Sequence, residues 1–129
     1  MNGRFLIDTN IVIALFAGET TVQERLASGV EVFVPSIVLG ELYYGALKST
    51  RVKANLARLD EFARSSAVLV CDTETARHYG QIKSKLRERG RPIPENDIWI
   101  AAVAMQHGFS VATRDGHFDE VEGLPVEKW

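Results

Sequence analysis

Arg4-Phe5-Leu6-Ile7-Asp8-Thr9-Asn10 opens with a short apolar run, Phe5 to Ile7, that reads as a strand buried on both faces. It stops abruptly at a carboxylate followed by two small polar residues. Ile11-Val12-Ile13-Ala14-Leu15-Phe16 then re-enters the core as a helix, with Thr9 or Asn10 expected as its N-cap. Asp8 therefore stands at the carboxyl end of a buried strand. In an open α/β sheet that edge is where ligands bind, because the loops leave a crevice there and helix N-termini point into it. On this stretch alone Asp8 reads either as a helix cap or as a ligand-binding acid, and three further acids decide between the two.

Working outward, Glu19 to Ser28 reads as an amphipathic helix with Val22 and Leu26 on one face and Gly29 as its stop. Val30 to Val34 is a second strand, ended by Pro35-Ser36, and Ser36 is the expected N-cap of the next helix. In that helix Ile37, Val38, Glu41, Leu42 and Gly45 recur at helical spacing, which places the Glu41 carboxylate on the stripe that should face the core. Arg51 to Ala63 is a helix with Leu56, Leu59 and Phe62 inward, and Ala67 to Val70 a third strand. Asp72 opens a long helix to about Arg89 with a seam of Ala76, Tyr79, Ile82 and Leu86. Its far end is basic: Lys83, Lys85, Arg87, Arg89 and Arg91 form either a solvated face or a track for a phosphate backbone. The prolines of Pro92-Ile93-Pro94 keep the connector extended. Asn96 to Met105 is apolar almost all round, so it belongs in the centre, with Asp97 in its first turn. Phe109 to Thr113 is a fourth strand running into Asp115, and Leu124 to Glu127 a short edge strand. Strands alternating with helices predict a three-layer α/β/α sandwich with a mainly parallel central sheet.

A chain of 129 residues is expected to form a single domain over 1–129 that buries roughly two-thirds of the surface its unfolded form exposes. The lone cysteine, Cys71, makes no internal disulfide, and a reducing cytoplasm is the expected compartment. No secretory signal is visible and no apolar stretch approaches the ~20 residues of a membrane span, so no membrane partner is expected. The net charge of −2 argues against a nucleic-acid partner only if the charge is spread evenly. With four acids gathered in one metal-neutralised site, the remaining surface carries about +2.

Asp8 and Asp115 each follow a strand, Asp97 begins a central helix, and Glu41 points inward one turn into another. Right-handed crossovers put such positions on one edge of the sheet, so the four are expected to converge. Two carboxylates ~4 Å apart repel by about 4 kcal/mol at an effective dielectric of about 20, so a cluster must take up protons or bind a cation. Oxygen ligands suit Mg²⁺, with Mn²⁺ as the alternative. Zinc is not expected, since His78, His107 and His117 have no paired spacing. A carboxylate-held Mg²⁺ can activate water and offset charge on a phosphate under in-line attack. Asn10 and Thr113 are expected to orient the acids or their waters through hydrogen bonds, although both are also ordinary turn and cap residues.

With these residues assembled, the sequence resembles PIN-domain proteins, and specifically the toxin component of VapBC-type toxin–antitoxin pairs. The resemblance spans essentially the whole chain. It rests on Leu6-Ile7-Asp8-Thr9-Asn10, on Ser36-Ile37-Val38-Leu39-Gly40-Glu41-Leu42 with Gly45, on Ile93-Pro94-Glu95-Asn96-Asp97 followed by Ile100-Ala101-Ala102, and on Thr113-Arg114-Asp115-Gly116-His117-Phe118. It implies a metal-dependent ribonuclease site whose acids fall here on Asp8, Glu41, Asp97 and Asp115. It further implies Mg²⁺ or Mn²⁺ as cofactor, endonucleolytic cleavage of cellular RNA, a homodimer or toxin–antitoxin hetero-oligomer, and inhibition by a cognate antitoxin whose tail fills the groove. Tyr43 and Tyr44 are candidates for a dimer face or for core packing.

Two rival classes remain at this point. A haloacid-dehalogenase-like phosphatase would use Asp8 as nucleophile but expects a second aspartate where Asn10 stands. A receiver-like or otherwise non-catalytic metal-binding module would use Asp72 as phosphoacceptor but expects a lysine near the final strand, where only Lys128 is available.

Overall fold

A parallel strand covered on both faces must be apolar at successive positions, and Phe5, Leu6 and Ile7 are all buried. They form β1 (Arg4–Ile7), the central strand of the computed structural model, which describes residues 3–129. The expected single domain thus extends, at Met1 and Asn2, beyond the described residues. β1 leads into α1 (Thr9–Phe16) and α2 (Thr20–Ala27), then β2 (Glu31–Pro35), α3 (Ser36–Leu47), α4 (Val52–Ser65) and the two-residue β3 (Val68–Leu69). The second half runs α5 (Thr73–Glu88), α6 (Glu95–His107), β4 (Ser110–Thr113), a 3₁₀ turn (His117–Glu120) and β5 (Val126–Lys128).

The strand order is β3-β2-β1-β4-β5 and every pairing is parallel, with helices covering both faces. The three-layer sandwich expected from the alternation of strands and helices is the observed architecture. From β1 the chain steps outward through β2 to β3, then returns to the other side of β1 for β4. The direction of winding therefore reverses between β1 and β4, and ligands bind at the carboxyl ends of the strands that flank such a reversal. Asp8 follows one of those strands, and Thr113 ends the other.

α6 is the buried centre of the helical layers. Ile98 and Ile100 to Ala104 are all 3% exposed or less, and three of those five consecutive residues are alanines that let neighbouring elements approach closely. Its N-terminus is fixed from outside. Tyr79 stacks on Trp99 at 4.1 Å and donates its hydroxyl proton to Glu95, which also accepts from Lys83 at 3.1 Å.

Several local expectations are corrected. Asp8 itself, not Thr9 or Asn10, caps α1, because its carboxylate accepts the Thr9 N–H. Ser36 is the first residue of α3 rather than its cap; the preceding extended position is Pro35, which closes β2. In α5 the seam runs through Thr75, Ile82 and Leu86 while Ala76 is exposed. Thr75 tolerates full burial because its hydroxyl engages both Asp72 and Gln106, completing a reciprocal cap with Asp72. β3 pairs over only two residues and leaves Val70 exposed, as befits the edge of the sheet.

Gly108 ends α6 in the left-handed region, at φ 72°, and a Cβ built there meets nothing within 4 Å. The cost of a side chain is thus conformational alone. Gly108→Ala is expected to lower stability by about 1 kcal/mol, read as a lower denaturant midpoint at unchanged slope; a midpoint within error of wild type would contradict the left-handed cap.

Candidate metal centre

The site begins with the register of β1 against β4. Ile7 pairs with Ala112 and the Asp8 N–H donates to the Ala112 carbonyl at 3.0 Å, which sets Asp8 beside Thr113. Asp8 is only 5% exposed. Its Oδ1 accepts the Thr9 N–H at 2.8 Å, while Oδ2 accepts the Thr113 hydroxyl at 2.8 Å and the Asn10 amide at 3.3 Å. The helix-cap and ligand-binding readings of Asp8 are therefore compatible, since Oδ1, which accepts only the Thr9 N–H, keeps a further lone pair.

The buried Thr113 hydroxyl also accepts the Asp115 N–H at 2.9 Å, so one side chain joins two of the acids. Asn10 closes the same clasp: its side-chain oxygen accepts the Arg114 N–H at 3.2 Å. Glu41, half-buried one turn into α3, is held by the Thr9 hydroxyl, which donates to it at 2.8 Å. Asp97 sits in the first turn of α6, where the helix dipole favours an anion. Its side chain is 13% exposed. Glu41, Asp97 and Asp115 line one open groove of about 430 Å³ together with Asn96 and His117.

Sequence spacing alone gives His117 no ligand role, and gives Thr9 none beyond capping. His117 Nδ1 lies 2.9 Å from Asp97 Oδ2 and 3.0 Å from Asp115 Oδ1. Its own backbone N–H donates to Asp115 Oδ1 at 2.9 Å, which folds the loop after β4 back over the acids. A sequence search for paired histidines misses it because its partners are carboxylates brought together only by the fold. Its place two residues after Asp115 was the available signal.

Burial dominates the electrostatics. It pushes the Asp8 carboxyl above its ordinary range, against the hydrogen bonds from Thr113 and Thr9, and the charges of Glu41 and Asp115 push it the same way. Asp97 is raised chiefly by burial, with Asp8 and Asp115 adding to the shift and His117 opposing it. The four acids thus act on one another, and the strongest charges felt by Asp8 are both negative. Asp97, Asp115 and His117, with Asp8 and Glu41 beside them, make an oxygen-rich set whose chemistry fits Mg²⁺ or Mn²⁺. Asp97, Asp115 and His117 each offer a ligand atom within 4.8 Å of the others.

The basic residues are less uniform than their sequence suggests. Lys83 is committed to Glu95, Arg89 to Glu120 and Glu122, and Arg91 to Glu120. Lys85 and Arg87 make no ion pair among the described residues and face outward from α5. Asp72 and Asp8 are both poor candidates for a phosphoacceptor: Asp72 is tied to Thr75 and Gln106, and Asp8 is buried in its clasp. A separate cleft of about 280 Å³ between α1, α3 and α4 has Thr9 and Glu41 on its wall beside the apolar Phe16, Leu42 and Leu59. Ile13, at 56%, is exposed on that wall, and Tyr44 and Leu47 are exposed on α3.

Residues 5–124 match the family model of the PIN domain. The tRNA(fMet)-specific endonuclease VapC of Shigella flexneri is 37% identical, with 98% of both chains covered. Ribonuclease VapC2 of Haemophilus influenzae is 34% identical over the same shares. Among solved structures, DNA-bound VapBC from Salmonella typhimurium superposes with a TM-score of 0.91 at 33% identity, covering 100% of this chain and 99% of that one. VapBC2 from Rickettsia felis, bound to a promoter DNA fragment, does so with a TM-score of 0.89 at 27% identity, covering 98% of each.

The raised carboxyls make a signed expectation. Both native states hold protons more tightly than the unfolded chain, whose aspartates titrate at about 3.9, so their cost to stability is absent below that pH and complete above the folded values. At pH 7 without divalent ions, Asp97→Asn should therefore raise the melting temperature, by about 3 °C. Millimolar Mg²⁺ should stabilise the wild type and have little effect on the variant. A destabilised Asp97→Asn, or equal shifts with Mg²⁺ in both proteins, would contradict a repelling cluster relieved by a cation.

Proposed function

The chain belongs to the PIN-domain family, and on that premise we propose that it is a divalent-metal-dependent endoribonuclease acting as the toxin of a toxin–antitoxin pair. The observation that carries this reading is the convergence of Asp8, Glu41, Asp97 and Asp115 at the point where the winding of the sheet reverses, with Asp8 and Asp97 held against their own charge. In this reading the four acids hold Mg²⁺ or Mn²⁺ within a single domain spanning residues 1–129. The bound ion would supply an activated water and offset charge on the scissile phosphate. Asn10 and Thr113 aim Asp8 by donating to Oδ2, the Thr113 hydroxyl opposing the upward push of burial on that carboxyl, and Thr113 ties the Asp115 backbone to the same point. The Thr9 hydroxyl fixes Glu41 by donating to its Oε1 at 2.8 Å.

RNA would lie along the surface where the acidic groove continues past His117 into a second hollow of about 330 Å³ beside Arg91 and Gly116. Lys85 and Arg87 are the cations of the basic run left to contact its phosphates, with Lys83 serving first to brace α5 against α6 and Arg89 and Arg91 to brace the segment after α5 against the 3₁₀ turn. The cleft between α1, α3 and α4, apolar on most of its wall and reaching Glu41, suits an antitoxin tail that would block the centre; the exposed Tyr44 and Leu47 suit assembly with a second copy or the antitoxin. No helix among the described residues is long and apolar enough to cross a membrane, and we place the activity in the cytoplasm with its RNA.

Because the Shigella flexneri relative is a tRNA(fMet)-specific endonuclease, tRNA(fMet) is the first substrate to offer. Specific fragments are expected with Mg²⁺ or Mn²⁺ and none with EDTA. Asp97→Asn and Glu41→Gln should each lower cleavage by about a hundredfold or more. Undiminished cleavage of every RNA in EDTA, or full activity in Asp97→Asn, would overturn the reading.

The charge-reversed pair Lys85→Glu and Arg87→Glu should weaken RNA binding and make its dependence on log salt shallower by about 1.4 for two lost single-strand contacts. Metal affinity should not change. An unaltered salt slope would show that these two residues are only solvated.

A further inference from the structure

We propose that His117 is a ligand of the cation through Nδ1, and that this nitrogen makes the centre prefer Mn²⁺ to Mg²⁺; the inference rests on the metal-dependent reading above. Neither charge repulsion nor catalysis by four acids requires an imidazole in the groove, yet one is held there with its Nδ1 toward two of them. The distances to Asp97 Oδ2 and Asp115 Oδ1 are 2.9 and 3.0 Å. Adjacent ligands at right angles around an octahedral ion, each at about 2.1 Å, lie about 3.0 Å apart. Nδ1 therefore stands from each of the two oxygens at the spacing of donors that share one ion, and the three residues offer ligand atoms within 4.8 Å of one another.

The placement is built into the loop. The His117 N–H donates to Asp115 Oδ1, Phe118 immediately after it is fully buried, and the 3₁₀ turn His117–Glu120 carries both residues. Lys128 Nζ donates to the Asp115 carbonyl at 2.6 Å and pairs with Asp119 at 3.3 Å, bracing the loop from β5. The ring itself is about half exposed and opens on the groove. Imidazole is a ligand that suits first-row transition metals, whereas Mg²⁺ favours oxygen and water, so a nitrogen in the set raises affinity for Mn²⁺ more than for Mg²⁺.

The alternative is that His117 only neutralises the two carboxylates as a charged neighbour. Calorimetric titration of the full chain with MnCl₂ and with MgCl₂, in wild type, His117→Asn and Asp97→Asn, separates the two. The asparagine offers an oxygen near the former Nδ1. The expected result is a loss of at least about tenfold in Mn²⁺ affinity for His117→Asn, with Mg²⁺ affinity within about twofold of wild type. Mn²⁺-loaded wild type should show the ¹⁴N coupling of a bound imidazole by pulsed electron paramagnetic resonance, and the variant should lack it. Equal changes for both ions, no change for either, or no ¹⁴N coupling in wild type would overturn the assignment. Asp97→Asn tells this failure from that of the wider reading: if it binds both ions as wild type does, the metal centre itself falls.

Discussion

The structure depends on a buried carboxylate whose place is set by strand register. β1 and β4 pair in parallel at the point where the winding of the sheet reverses, and that pairing sets Asp8 against Thr113. A lone buried charge there would be costly without donors. The Thr9 N–H, the Thr113 hydroxyl and the Asn10 amide supply them, and the same three residues reach onward to Glu41, to the Asp115 backbone and to the Arg114 backbone. One carboxylate thus organises both the start of α1 and the loop after β4.

The arrangement trades stability for function. Burial and mutual repulsion raise Asp8 and Asp97 while the donors pull Asp8 down, so the folded chain holds two acids in surroundings that favour protonation. The core must offset that cost. α6 does so most directly: it is buried almost all round, it carries Asp97 in its first turn, and its N-terminus is held by the Tyr79, Lys83 and Glu95 contacts from α5. A helix fixed in this way presents its acid from a rigid element, as a metal site requires.

Much of this was legible in the sequence because it follows from periodicity. The apolar run before Asp8, the alternation of strands and helices, and the inward stripe of α3 that includes Glu41 each have one physical reading. Apart from the α1 cap, which Asp8 takes from the adjacent Thr9 N–H, the misread details turn on contacts between distant segments. Ser36 has the chemistry of a cap but β2 extends through Pro35; Ala76 has the chemistry of a seam, but Thr75 finds Gln106 across from α6. His117 lacked a paired-histidine signal because its partners, Asp97 and Asp115, are carboxylates that meet only in space. The basic run looked uniform because the acids that engage Lys83, Arg89 and Arg91 come from α6 and from the turn after β4.

The acidic groove and the apolar cleft meet at Glu41, so the residue proposed to complete a cation site also stands where a segment bound in the cleft would end. In the proposed reading, that junction would let one small fold be both nuclease and target of its inhibitor. The central claim, that acids from distant segments share a cation at the carboxyl edge of β1, is tested most directly by anomalous diffraction from crystals grown with Mn²⁺. A peak coordinated at about 2.1 to 2.3 Å by carboxylate oxygens drawn from Asp8, Glu41, Asp97 and Asp115 is the predicted result. Manganese bound elsewhere on the molecule with that edge empty would contradict the account.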